Sequence, residues 1–223
     1  MTSKDLIHKV AQEGEAVRTA QLSRADWLKA ALDIFKTEGI EAVRITRLAD
    51  VLGVTRGSFY WHFKHREDLQ SALLSYWQHK NVHSLLHALD DVQSLDDGIL
   101  SLFSAWLSPE QFEPGLDLAM RDWARRSEAA SQAVNDADER CIDAISNFYQ
   151  SHGFQETDAR ARARTVYTCQ IGYYVVTGLN EPMSVRLSYL EPLYAIMTGR
   201  TLDPAKAEEF RVRHVPGYGA ANP

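Results

Sequence analysis

The sequence predicts an all-α protein: a tri-helical helix-turn-helix head joined to a larger helical body, with roughly nine or ten helices in all. Three observations carry this. Apolar residues recur at three- and four-residue spacing along most of the chain, and no period-two alternation runs long enough for a sheet. Helix-starting Ser and Thr and helix-stopping Gly and Pro punctuate that pattern at short intervals. The 223 residues are 45% hydrophobic and 24% charged, an ordinary globular composition with enough apolar side chain for a sizeable core.

Taken in order, residues 1–22 are a polar N-terminal extension too hydrophilic for a secretory leader. Ser23 then opens a helix, with Asp26 three residues on as in a capping box. Ala25, Leu28, Leu32 and Phe35 mark its apolar face, and Gly39 ends it. A short helix follows from Thr46 to Leu52, facing inward through Leu48, Ala49 and Leu52. Gly53 makes a turn, and Thr55 caps a second short helix reaching Phe63. A longer helix starts near Arg66, with Leu69, Ala72, Leu73 and Tyr76 inward. Beyond it come helices over Ser94–Leu107, Pro114–Arg126, Ala129–His152, Thr157–Leu179 and Ser184–Thr198. From Leu202 the Pro and Gly content predicts a poorly ordered tail. The expected division is 1–22 extension, 23–68 helix-turn-helix, 69–200 body and 201–223 tail.

Charge is unevenly distributed. The formal net charge is −6, yet between Arg44 and Arg66 five basic residues face Asp50 alone, while from Asn81 onward 12 Lys and Arg stand against 20 Asp and Glu. One cationic face on an acidic molecule can be steered to phosphate.

The segment from Arg44 to Leu69 holds the chemistry. Two helices this short are marginal alone and must pack on their neighbours. A tight Gly turn between them is the geometry that pushes the second helix into the major groove of DNA. Arg56 is the best candidate for a bidentate contact to guanine, with Thr55, Gly57 and Ser58 small enough to let the backbone approach. Tyr60, Trp61, His62, Lys64 and Arg66 suit phosphate oxygens, which set register. Thr46 and Arg47, at the start of the preceding helix, are further DNA-contact candidates. Arg44 reads either as a phosphate contact or as a solvated charge.

These residues, over about positions 23 to 77, resemble the head of the tetracycline-repressor (TetR) family: Leu48-Ala49, Gly53-Val54, Phe59-Tyr60-Trp61-His62-Phe63 and Arg66 match. Arg44 stands where that family commonly has Thr, Arg66 where it has Lys, and His65 where a capping Ser is common. The resemblance implies a homodimeric transcriptional regulator, by family habit a repressor, that binds a pseudo-palindromic double-stranded operator and is released by a small-molecule effector. It also implies that the last two long helices form the dimer interface, which points to Ile171, Val175, Leu190, Leu193, Tyr194 and Met197.

The body carries no motif. Its aromatic and apolar residues Phe103, Trp106, Met120, Trp123, Tyr167, Gln170 and Tyr174 are candidates for an effector pocket, or else core. Arg121, Asp122 and Thr177 are further polar candidates there. His79, His83 and His87 share a face at four-residue spacing and are weak metal candidates beside a plain polar-surface reading. The Arg160, Arg162, Arg164 run reads as a solvated helix start. Cys141 and Cys169 read as buried small side chains suited to a reducing compartment. No cofactor motif, catalytic signature or membrane-spanning stretch is present in the sequence, so a cytoplasmic non-enzyme is expected. The alternatives are an architectural DNA-binding protein without ligand control and, more remotely, a helical enzyme.

Overall fold

The structure is a computed structural model describing residues 22–177 and 180–215. The predicted N-terminal extension to residue 21, the end of the helix expected to run to Leu179, and the Thr177 side chain lie outside the described residues. Helices joined by turns and short irregular segments make up the described residues, with no strand among them. In chain order the elements are α1 (Arg24–Glu38), a 3-10 turn (Ile40–Ala42), α2 (Ile45–Leu52), α3 (Arg56–Phe59) and α4 (Arg66–Trp77), then a π-helical stretch (Gln78–His83) and α5 (Ser84–His87). They continue as α6 (Leu95–Leu107), α7 (Pro114–Ala124), α8 (Glu128–Ser151), α9 (Glu156–Thr177), α10 (Met183–Ser188), α11 (Leu190–Thr198) and α12 (Pro204–His214).

The described residues form two compact units. The head runs up to Trp77 and includes Ala119–Ser131; the body comprises Gln78–Leu118 and the residues from Gln132 onward. The sequence reading closed the head after residue 68. All of α4 joins it because Leu69, Leu73 and Trp77 are sunk in the head core, each 1% exposed or less.

The head is built on aromatic side chains. The capping box at Ser23 forms as expected: its hydroxyl accepts from the Asp26 amide, and the Asp26 carboxylate accepts from the Ser23 amide at 2.8 Å. The Ser23 hydroxyl, which donates to the same carboxylate at 2.7 Å, and then the Ser23 amide hold the Asp26 carboxyl below its usual range. The inward face of α1 is as predicted at Leu32 and Phe35, both buried, and differs over its first two turns. Trp27, Ala31 and Phe35 are fully buried, whereas Ala25 is exposed and Leu28 only half-buried. Trp27 meets Phe59 edge-on at 5.4 Å, Phe59 stacks on Phe63 at 5.4 Å, and Phe35 meets Trp123 edge-on at 5.8 Å. In the same way Trp77, not Tyr76, carries α4 inward.

In the body, the expected poorly ordered tail is a helix over Pro204–His214, and the tail's residues 216–223 lie outside the described residues. Asp203 caps α12 by accepting from the Ala205 amide at 2.8 Å, with Pro204 in its first turn. Both ends of α12 are tied to α6: Lys206 pairs with Asp97 at 2.8 Å, and His214 Nε2 lies 2.9 Å from the Ser104 hydroxyl. Phe210 is buried between those ties. The helix expected over Ser184–Thr198 is broken into α10 and α11 at Tyr189. Asn81, buried in the π-helical stretch, brackets residue 113, donating to the Glu113 carbonyl and accepting from its amide, each at 3.1 Å.

One close approach in the body makes a stability prediction. A Cβ placed on Gly98 of α6 would stand 2.1 Å from the ring of Phe148. Gly98→Ala therefore forces the ring to retreat, at about 1–3 kcal/mol for overpacking. Replacing a helical glycine returns about 1 kcal/mol. A net destabilisation of about 1 kcal/mol is expected in chemical denaturation, and a stabilised variant would show that Phe148 moves freely.

Candidate nucleic-acid interface

The candidate interface is the outer surface of α2 and α3. Gly53 ends α2 at φ 68°, a left-handed conformation that a glycine adopts without steric cost, and its amide returns to the Ala49 and Asp50 carbonyls. Thr55 is the N-cap of α3 by backbone position, although its side chain makes no capping bond. Regular α-structure then lasts only from Arg56 to Phe59. Tyr60, Trp61 and His62 continue as tight turns whose amides return to carbonyls three residues back, at 3.2, 3.3 and 2.9 Å. The expected helix to Phe63 is thus one α-turn followed by tighter winding.

That winding decides which side chains look out. Thr55, Arg56, Gly57, Tyr60, Trp61 and Lys64 are exposed, Trp61 at 83%. Arg44, Ile45, Thr46, Arg56, Tyr60 and Arg66 line one open cleft, and Thr46, Thr55, Arg56 and Gly57 line a second beside it. Arg56 borders both. Arg44 sits at the rim, its Nε donating to the Glu41 carbonyl at 3.0 Å.

Four of the residues assigned to DNA have other engagements. Ser58 is 1% exposed and its hydroxyl is buried without a partner among the described residues, so it faces the core rather than a base. His62 turns its ring toward Trp27 at 6.4 Å, with Nε2 buried. Arg47 forms a two-pronged ion pair with Glu38, one prong at 2.7 Å. That hydrogen bonding holds the Glu38 carboxyl low and raises the Arg47 guanidinium. Arg66 reaches back to the Ile40 carbonyl at 3.0 Å, bracing the 3-10 turn. Neither arginine is free to reach phosphate without giving up that bond.

The sequence reading also missed the residue that secures the entry to α4. Asp68 accepts from the Lys64 amide at 3.1 Å and pairs with Arg24 at 3.2 Å, and the amide bond is the chief reason its carboxyl lies below the usual range. Arg24 in turn lies over the Phe63 ring at 4.4 Å. The local signal was present: His65 and Asp68 have capping-box spacing.

In the body, Phe103, Trp106 and Gln170 of the pocket candidates line one cavity of about 400 Å³, together with residues of α9 to α12. The others do not line it. Tyr174 is buried with its hydroxyl donating to the Trp106 carbonyl at 2.8 Å, and Tyr167 donates to Asp138 at 2.7 Å. Met120 is fully buried, and Trp123 belongs to the head core against Phe35. Arg121 and Asp122 likewise fall in the head, where Asp122 pairs with Arg126.

Of the dimer candidates, Leu190, Tyr194 and Met197 are buried within the body, because Tyr194 turns in to donate to Asp96. Val175 at 64% and Leu193 at 40% remain exposed and Ile171 is half-buried; Val176 at 84% and Ile196 at 70% are exposed neighbours that the sequence reading passed over.

The His79, His83 and His87 rings follow one another at 6.0 and 5.5 Å, but His87 Nδ1 is engaged by Asp90 at 2.6 Å. Among the described residues no group of three or more His, Cys, Asp or Glu converges on a metal position. Arg160 pairs with Glu139 and Asp143, and Arg162 with Asp158 at 3.0 Å, so their charges are spent within the body. Cys141 is buried, its thiol pushed up to about 12 chiefly by burial; Cys169, expected to be buried, is exposed at the cavity. Among the described residues, no helix is long and apolar enough to cross a membrane.

Residues 28–73 match the family model described as bacterial regulatory proteins, tetR family. Over 54 residues the chain is 41% identical to the HTH-type transcriptional regulator AcrR of Shigella flexneri, a match that spans 24% of this chain and 25% of that one. A longer alignment, 30% identical over 162 residues, covers 72% of this chain and 66% of the class C tetracycline repressor of Escherichia coli. The fold is similar to that of the fatty acid degradation regulator FadR from Bacillus halodurans, with a TM-score of 0.60, 14% identity, and 79% and 94% of the two chains covered.

Proposed function

The chain belongs to the bacterial tetR family of regulatory proteins, and from that premise we propose that it is a transcriptional repressor which binds a pseudo-palindromic operator as a homodimer and releases it when a small molecule occupies its body. The observation that carries the reading is the split personality of residues 55–63. Phe59 and Phe63 are buried in the aromatic core, while Arg56, Gly57, Tyr60 and Trp61 stand outward from the same short segment. A helix anchored from behind, with an arginine beside a glycine at its exposed start, suits major-groove reading by bidentate contact to guanine. Tyr60, Trp61, Lys64 and Arg44 are the groups available for phosphate.

Dimerisation is assigned to the exposed apolar face of two helices that pack together, through Val175 and Val176 on α9 and Leu193 and Ile196 on α11. A two-fold homodimer carries two recognition helices, and an operator with half-sites roughly 34–36 Å apart, one turn of DNA, would match them. Leu193 and Ile196 also line the cavity, so a bound molecule would touch residues through which two copies meet. Release requires only that the effector bind one arrangement of the dimer better than the other; it shifts the equilibrium by that difference in affinity and no more.

Selection of bound sequences from a random double-stranded pool tests the reading. The expected product is an inverted repeat with half-site centres about one helical turn apart. A bound pool with no sequence enrichment would make the protein an architectural DNA binder instead, with a specificity ratio near one.

A further inference from the structure

The body cavity is walled mostly by apolar side chains, Phe103, Leu107, Leu190 and Phe210 among them, and its lining carries two charged residues, Arg186 and Glu181. The two are not equivalent. Glu181 is engaged: it accepts from the Tyr173 hydroxyl at 2.5 Å. Arg186, on α10, is half-buried, and among the described residues no carboxylate lies within ion-pair distance of it. The other half-buried arginines described in the body, Arg160, Arg162 and Arg211, each pair with a carboxylate. Arg186 is therefore the exception, and it stands at the cavity.

Aromatic rings hold Arg186 in place. Its guanidinium lies over Tyr173 and Tyr174 at 4.9 and 5.6 Å. Burial pushes the Tyr174 hydroxyl up, and Arg186 opposes that shift by its charge and by hydrogen bonding. A guanidinium has five N–H donors in its plane, more than one hydroxyl can satisfy. A neutral guest covering Arg186 would strip water from a charge and return no counter-charge. A cationic guest would meet Arg186 with like charge and find Glu181 already engaged. An anion supplies both the counter-charge and the acceptors.

We propose that this cavity binds an apolar organic acid, its carboxylate received by the Arg186 guanidinium and its hydrocarbon by the wall of Phe103, Leu107, Leu190 and Phe210. About 400 Å³ accommodates a compound with fused rings. The assignment gives the effector of the proposed repressor a chemical class, and rests on that reading for its consequence at the operator.

Calorimetric titration of the full chain with naphthylacetate, naphthylacetamide and naphthylethylamine separates charge from rings, since the three share the ring system and differ at the head. The acetate is expected to bind about ten-fold or more tightly than either of the others. Arg186→Met keeps an unbranched apolar stem beside the tyrosines and removes the charge. It is expected to weaken the acetate by about ten-fold and the acetamide by no more than about two-fold. Arg186→Lys, which keeps the charge, should retain part of the preference, and Glu181→Gln should leave the acetate bound as tightly or more so. Thermal melting of each variant reports whether it is folded. Equal affinity for acetate and acetamide, no binding of the acetate, or a preference that survives Arg186→Met would each overturn the assignment. So would a preference for the amine that Glu181→Gln abolishes. Operator binding with and without naphthylacetate then separates the two readings. Charge-selective binding that leaves operator affinity unchanged upholds the site and removes ligand-controlled release. Release by naphthylacetate that persists undiminished in Arg186→Met removes this site and upholds the control.

Discussion

Trp27→Ala is expected to unfold the head at a cost of about 3–5 kcal/mol, the range for truncating a large buried aromatic. Trp27 is fully buried and its ring is the partner against which Phe59 is set. Phe59 lies in α3, whose four residues have no stability of their own. Losing the tryptophan thus removes the floor under the recognition segment. Against a total stability of about 5–15 kcal/mol, the loss is large enough to populate a state with the head melted while the body keeps its own core. Circular dichroism should show an early transition of partial amplitude, and DNA binding should disappear with it. A single cooperative transition at the original midpoint would refute this. Trp27→Phe is the informative control: it keeps a ring against Phe59 and deletes an indole N–H that is buried without a partner, so it should recover most of the lost stability.

Arg56→Ala is expected to leave the fold intact and weaken binding to the selected operator by about 1–3 kcal/mol, with sequence preference relaxed at the contacted base pair. Arg56 is exposed and borders both clefts of the α2–α3 surface, while Arg47 and Arg66 are held by Glu38 and by the Ile40 carbonyl. Under the proposed function, guanine reading by arginine in this segment is therefore expected of Arg56. Competition between operator and random DNA measures the effect. Equal loss on every sequence would assign Arg56 to phosphate. Lys64→Ala supplies the contrast, lowering affinity for all sequences alike and reducing the salt slope by about one.

What the sequence made legible was local. The Ser23–Asp26 cap, the Gly53 turn and the helix ending at Gly199 depend on residues within a few positions of one another, and each forms where the sequence placed it. Leu32 and Phe35 were read correctly, but the start of α1 was not legible, because Ala25-Leu28 and Trp27-Ala31 both continue an acceptable helical stripe. Only the partner that covers the stripe, Phe59, chooses between them. Ser58 and His62 were misread for a related reason: one helical turn has too few residues to define a face. Arg47 and Arg66 were given to DNA because their partners lie 9 and 26 residues away. Leu190, Tyr194 and Met197 looked like surplus apolar surface until α11 was seen to turn them inward. The α12 helix is a different kind of miss. Asp203-Pro204 is a plain helix start, and it was outweighed by the Pro and Gly residues from Pro216 onward.

The division of residues 55–63 into a buried set, Ser58, Phe59 and Phe63, and an outward set has a consequence for how such a protein changes over generations. Phe59 and Phe63 answer to the core; Thr55, Arg56, Gly57 and Tyr60 touch little of it. If the proposed function holds, duplicated copies can exchange Thr55, Arg56 and Gly57, and so drift to new operators, without passing through unfolded intermediates. The same separation makes the segment a cassette for retargeting by design, in which address and architecture are edited independently.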